Sequence, residues 1–348
     1  MADPALQKLM LNAMLALPTP VLRMLAGGGV VFQGGRTLDP RFQFLANAAK
    51  GAPPMSSVPP EMARAGSAAG LAAVAGRPEP GVAVENLSID GPRGPIPLRA
   101  YRPSSPDPKA PLMVFAHFGG GVIGDLETCH VFCSILAKCT HGPVLSVDYR
   151  LAPEHKFPAG LEDVLAAYRW GRDNAERFGA AAGQVAIGGD SMGGGFAAIV
   201  AQEMKTAGEP QPVLQLMIYP AVDLASEAPS MRTYSDAYPL SSSTMDWFVG
   251  HYLGSDADPR DPRASPARAK DLTGLAPAIV VTAGFDPLVD QGEAYAKALR
   301  DAGVPVVYRC YDALAHAFTA FTGAVPCADV ACREIAGLVR EGYEGRIH

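Results

Sequence analysis

Gln184-Val185-Ala186-Ile187-Gly188-Gly189-Asp190-Ser191-Met192-Gly193-Gly194-Gly195-Phe196 is the stretch that decides how this chain folds. A short apolar run, a glycine-bounded turn at a serine and a second apolar run, Ala197-Ala198-Ile199-Val200, follow one another without a spacer. That order predicts strand, sharp turn, helix. The turn reads G-x-S-x-G from Gly189 to Gly193. Glycines two before and two after the serine suit a strained backbone with no room for a Cβ. The turn then presents the Ser191 hydroxyl at the start of a helix, where the dipole favours developing negative charge. Among 37 glycines the bare motif is weak, and the plain alternative is a tight strand–helix connection. The flanks give it its weight.

Outward from this stretch the alternation repeats. Val82–Ile89 and Ile96–Tyr101 predict a hairpin, and Leu112–Ala116, Val144–Val147, Leu214–Ile218 and Ile279–Thr282 are short runs of doubly buried strands. Val304–Cys310 reads as a last, edge-like strand. Helical patterns cover roughly 127–140, 159–178, 192–207, 290–302 and 327–341. A mostly parallel sheet with helices on both faces follows. From 222 to 275 the rhythm breaks into a Ser/Pro-punctuated insertion with one helical stretch, Ser243–Leu253, capped by Ser241, Ser242 or Ser243. Placed after a strand's C-terminal end, it reads as a lid over the ligand crevice. Residues 1–50 read as helical pieces that join this cap, and 51–80 as a meandering connection. Leu6, Leu9, Met10, Ala13, Met14 and Leu17 share one helical face, expected to pack on the body. The expected organisation is therefore cap helices at 1–50, a core at 51–221 and 276–348, and a cap insertion at 222–275.

Hydrophobic residues make up 48% of the 348 and charged ones 18%, fewer than the roughly 25% of typical soluble chains. A large sheet buried on both sides fits that balance. The net charge of −6 argues against nucleic acid or an anionic membrane as partner. No apolar run reaches the roughly 18 residues of a membrane span, and Leu9–Leu17 lacks the flanks of a secretory leader. The expected compartment is the cytoplasm. Cys129, His130 and Cys133 suggest a metal site, but their bland reading as buried helix positions is preferred, so neither metal nor cofactor is expected.

His117-Phe118-Gly119-Gly120-Gly121 follows the strand ending at Ala116. Glycines here let backbone N–H groups approach an acyl oxygen as it becomes an oxyanion, with the Met192 N–H as a further donor. No P-loop lysine follows, which sets aside a phosphate cradle. His117 is expected to brace the loop. Asp286 lies just past the strand Ile279–Thr282, and His316 just past the final one. Both join Ser191 at the strands' C-terminal edge, in the chain order Ser, Asp, His of a nucleophile–acid–base triad. Asp290, at a helix start, and Asp312, close to His316 in sequence, are rival acids; His251 and His348 are poorer bases.

At this point the chain resembles the bacterial hormone-sensitive-lipase family of carboxylesterases. Asp148-Tyr149-Arg150-Leu151-Ala152-Pro153-Glu154-His155 with Phe157-Pro158-Ala159 is the most specific match. Gly124-Asp125-Leu126-Glu127-Thr128, Gly189–Gly194, Tyr219-Pro220 and Ala283–Leu288 extend it over roughly residues 80–320. The resemblance implies an eight-stranded α/β-hydrolase fold with a helical cap, acting without cofactor on short- to medium-chain acyl esters. It implies oxyanion donors at Gly119 and Gly120, a homodimer through the last strand, and a structural ion-pair network of Asp148, Arg150, Glu154 and Asp163. Phe118 departs from it by replacing the family's first loop glycine, and Gly121 by standing where a bulky residue is usual. Amidase, lactonase or acyltransferase chemistry shares the same groups, and a non-catalytic receptor on this fold is expected to have lost a triad member.

Overall fold

The computed structural model describes residues 4–255 and 257–347. The chain opens with helices α1 (Pro4–Leu15) and α2 (Thr19–Leu25). The α1 face of Leu6, Leu9, Met10 and Met14 is exposed, which corrects the expectation that it packs on the body: periodicity finds the stripe, but not the direction it faces. A two-stranded ribbon follows, β1 (Phe32–Gln33) and β2 (Arg36–Thr37), turned at Gly34-Gly35. Helices α3 (Pro40–Ala49) and α4 (Pro60–Val74) complete the N-terminal part. Helix α4 corrects the expectation of a meandering connection. Its sequence, mostly Ala, Gly and Ser behind a proline at its first turn, has no strong apolar stripe to announce it.

Eight strands form one sheet in the order β10-β9-β8-β7-β5-β6-β4-β3. The hairpin β3 (Val82–Gly91) and β4 (Gly94–Pro103) is antiparallel, and β4 also runs antiparallel to β6. From β6 (Val144–Val147) across β5 (Leu112–Ala116), β7 (Val185–Asp190), β8 (Gln215–Ile218), β9 (Ala278–Phe285) and β10 (Val306–Ala315) every pairing is parallel. Strand β5 shows why these runs carry no polar alternation. Leu112, Val114 and Ala116 pack towards α6 (Ala159–Asp173) and α7 (Met192–Ala207), Met113 and Phe115 towards α5 (His130–Thr140) and α11 (Pro326–Tyr343). A strand covered on both faces must be apolar throughout.

The insertion contributes α8 (Pro229–Thr233) and α9 (Ser242–Leu253), with α10 (Val289–Asp301) returning to the core. Ser241 caps α9, its Oγ accepting the Thr244 N–H at 3.2 Å. Helix α4 is pinned beside the sheet's C-terminal edge by Arg64, which donates to the Val122 and Ala152 carbonyls and pairs with Glu154 at 2.6 Å. The expected four-residue ion network is therefore corrected to separate pairs, Arg64–Glu154 and Arg150–Asp163, the latter at 2.8 Å. Among the described residues Asp148 has no ion-pair partner, and burial pushes its carboxyl up to about 6. No described helix is long and apolar enough to cross a membrane.

Candidate active site

Three strand ends and one loop meet beneath α4 and α9. Ser191 follows β7 with φ 53°, a left-handed conformation that an L-residue holds only under constraint. The flanking glycines are sterically required. A Cβ on Gly189 would strike the Gly193 backbone, and one on Gly193 the Ala116 carbonyl. Ser191 N–H donates to the Ile218 carbonyl at 2.8 Å, which locks the turn to β8.

Asp286 lies one residue past β9 and His316 one residue past β10. The His316 Nε2–Ser191 Oγ distance is 2.9 Å, and Nδ1–Asp286 Oδ2 is 2.7 Å. Asp286 is fully buried and also accepts the Leu288 N–H at 2.8 Å. The rival groups lie elsewhere. Asp290 accepts the Ser230 N–H at the start of α8, and Asp312 pairs with Arg36 on the surface. His251 packs its ring on Trp247, and His348 lies outside the described residues.

Gly119, Gly120 and Gly121 all have positive φ. Space, and not only torsion, excludes side chains there. A Cβ on Gly120 would collide with Phe248, and one on Gly121 with the Tyr252 ring, both from α9. The bulk missing at Gly121 is thus supplied by Tyr252. Among the described residues the Gly119 and Gly120 N–H groups have no protein acceptor. Met192 begins the 16-residue α7, so its N–H is one of the helix's orphan donors.

Phe118 is almost wholly buried, packs in the core on the α5 and α11 side, and still lines the cavity. Phe118→Gly is therefore expected to destabilise the fold by about 3 kcal/mol, as large-to-small core changes do. Its kcat should fall less than about a hundredfold if the oxyanion donors are the expected Gly119, Gly120 and Met192 N–H groups, none of which it removes. Thermal melts beside steady-state kinetics check both; a larger loss of kcat would move a donor to Phe118 or Gly121.

His117 braces the loop from below. Its ring stacks on Tyr149 at 4.3 Å, Nδ1–H donates to the Phe118 carbonyl at 2.7 Å, and Tyr149 Oη–H donates to the His117 carbonyl at 2.8 Å. Complete burial pushes the imidazole down to about 4. The folded pKa lies below the unfolded one, so this residue's contribution is full at neutral pH and is lost as pH falls from about 6.5 towards 4. His117→Gln should lower stability at pH 7, with the gap to wild type narrowing by about 2 kcal/mol at pH 5. Denaturant titrations at the two pH values measure this; a widening gap contradicts it.

Sequence reasoning missed the setting of Asp190. This fully buried carboxylate accepts Tyr219 Oη–H at 2.9 Å, Thr319 Oγ1–H at 2.8 Å and the Cys129 thiol at 3.4 Å. Burial nonetheless raises it to about 6. Cys129 thus serves a carboxylate, while His130 Nδ1 faces Tyr101 Oη at 3.0 Å. Among the described residues no group of three His, Cys, Asp or Glu is placed to hold a metal.

Ser191, His316, Gly119, Gly120 and Met192 border one cavity of about 580 Å³. Its walls are largely apolar, with Met55, Met62 and Leu71 on one side and Leu240, Met245 and Phe248 on the other. The α4 wall escaped notice because its helix did.

A family model described as alpha/beta hydrolase fold matches residues 113–320. The chain belongs to the α/β-hydrolase fold family. Its resemblance to the hormone-sensitive-lipase branch holds across the relatives. It is 43% identical over 310 residues to the carboxylic ester hydrolase LipN of Mycobacterium tuberculosis, covering 87% of this chain and 82% of that one. With the ethyl acetate hydrolase of Pseudomonas putida it shares 36% over 280 residues, 79% of this hydrolase and 88% of the relative. The crystal structure of a mutant of LAE6, an α/β-hydrolase enzyme from the metagenome of Lake Arreo, superposes with a TM-score of 0.85 at 39% identity. That match covers 88% of this chain and 99% of the other.

Proposed function

We propose that this hydrolase is a serine carboxylesterase acting on short- to medium-chain acyl esters, with Ser191 as nucleophile, His316 as base and Asp286 as the acid that orients it. The observation that carries the reading is the unbroken line of contacts from Ser191 Oγ to His316 Nε2 and from Nδ1 to Asp286, at 2.9 and 2.7 Å. Hydrolysis of carboxylic esters is also what the named relatives share.

The chemistry runs in two halves. Ser191 Oγ attacks the acyl carbon as His316 Nε2 takes its proton, and the carbonyl oxygen becomes an oxyanion held by the N–H groups of Gly119, Gly120 and Met192. The imidazolium, stabilised by Asp286, gives that proton to the departing alkoxide, which leaves as alcohol. Water, deprotonated by His316, then attacks the acyl carbon, and as the acid leaves, the imidazolium returns that proton to Ser191 Oγ. Buried donors and the α7 dipole stabilise the charge as it forms, so no reorganisation is needed at that moment.

Helices α1 to α4, with α8 and α9, form the cap on this reading, and the α4–α9 gap receives the acyl chain. A panel of p-nitrophenyl esters of rising acyl length, run beside matching anilides, tests it. Turnover should concentrate on short and medium esters. Faster anilide than ester cleavage would favour an amidase.

A further inference from the structure

The catalytic steps leave one buried carboxylate unused. Asp190 ends β7, immediately before Ser191, and is wholly buried without bordering the cavity. A buried charge is costly unless hydrogen bonds or a partner charge compensate it. Here three hydrogen bonds do so, from three distant parts of the chain. Oδ2 accepts Tyr219 Oη–H at 2.9 Å and Thr319 Oγ1–H at 2.8 Å, and Oδ1 accepts the Cys129 thiol at 3.4 Å.

Two of these partners flank the base. Tyr219 follows β8, and its ring centroid lies 4.8 Å from that of His316. Thr319 stands three residues past His316, in the single turn Phe318–Phe321 that continues from β10. In the sheet β10 is three places from β7, so no ladder hydrogen bond holds one strand end to the other. The Asp190 side chain makes that connection. Phe318 packs edge-on against Tyr219, with centroids 5.2 Å apart, and the Thr319–Asp190 bond adds the directionality that apolar contact lacks.

Backbone strain marks the same place. Among the described residues four that are not glycine have positive φ, namely His141, Ser191, Tyr219 and Ala317. The last three, at 53°, 35° and 58°, all lie in the turns that Asp190 joins. Such torsions persist only where the surroundings over-determine them, and they cluster where geometry serves function. Ala317 directly follows His316, so relaxation of its turn would swing the imidazole away from Ser191 Oγ, which it meets at 2.9 Å.

We propose that Asp190 is a positioning residue for His316, tying the turn that carries the base to the turn that carries the nucleophile through Thr319 and Tyr219. This rests on the triad reading, since it concerns the aim of Nε2 at Ser191.

Steady-state kinetics on a soluble p-nitrophenyl ester test it, with rates divided by the sites that a p-nitrophenyl phosphonate labels at completion. Unfolded protein then does not count. Thr319→Val keeps the side chain's shape and removes the tether. Its kcat per labelled site should fall about ten- to a hundredfold, with KM within about twofold of wild type. Thr319→Ser restores the hydroxyl and should return to within about threefold. Asp190→Ala should lose a factor similar to that of Thr319→Val. The double variant, Asp190→Ala with Thr319→Val, should lose no more than about twofold beyond the worse single one, because both cut the same tether. Unchanged kcat per labelled site in Thr319→Val, an equal loss in Thr319→Ser, or losses that multiply in the double variant would overturn the proposal. If Asp190→Ala does not fold, the two Thr319 variants decide alone. Ser191→Ala, run beside them, separates the two readings: its inactivity upholds the nucleophile whatever the Thr319 variants do, and its activity would remove the triad and this proposal with it.

Discussion

Ser191→Ala is expected to lower kcat by roughly 10⁴–10⁶ and to change stability by no more than about 1 kcal/mol. The two numbers come from different parts of the site. Alanine removes only Oγ and its 2.9 Å contact with His316. The turn at φ 53° is held by neighbours that the substitution leaves alone, namely the Gly189–Gly193 approach and the Ser191 N–H bond to Ile218. The N–H groups at Gly119, Gly120 and Met192 also survive, so a residue of oxyanion stabilisation persists over the uncatalysed rate. Kinetics on a p-nitrophenyl ester, paired with a thermal melt, gives both values. Activity within tenfold of wild type would remove Ser191 from the mechanism.

Asp286→Asn should cost roughly 10⁴ in kcat, out of proportion to one exchanged atom. The buried carboxylate accepts from His316 Nδ1–H and Leu288 N–H, and has nothing to donate. An amide can turn its NH₂ towards Nδ1, which then accepts, and the ring proton moves to Nε2. Nε2 then faces Ser191 as a donor and no base remains. Asp312→Asn is the control. Its carboxylate is 71% exposed and pairs with Arg36, a surface pair worth little, so activity should stay within about threefold. The reverse ranking would show the acid to be misassigned.

Much of this was legible in the chain because burial leaves a direct imprint on sequence. Leu112–Ala116 and Val144–Val147 are apolar at every position since both sheet faces are covered, and they are strands over those same residues. Ser191, Asp286 and His316 were nameable because the topology puts their strand ends on one edge. Other features leave no such imprint. Helix α4 meets the cavity with Gly66, Ser67 and Gly70, and small residues at helical spacing look like linker. The Asp190 cluster joins Cys129, Tyr219 and Thr319 across up to 129 positions, a distance no local pattern spans. Gly121 is unusual until Tyr252 is seen filling its space.

The most direct test of the account is covalent. A p-nitrophenyl phosphonate should react with the full-length wild type once per chain, and peptide mapping should place the adduct on Ser191. The phosphorus stands where the acyl carbon would, and its oxygen takes the oxyanion position beside Gly119, Gly120 and Met192. Labelling and loss of esterase activity should advance together, and Ser191→Ala should remain unlabelled. An adduct on any other residue, or full turnover by the fully labelled protein, would contradict the account.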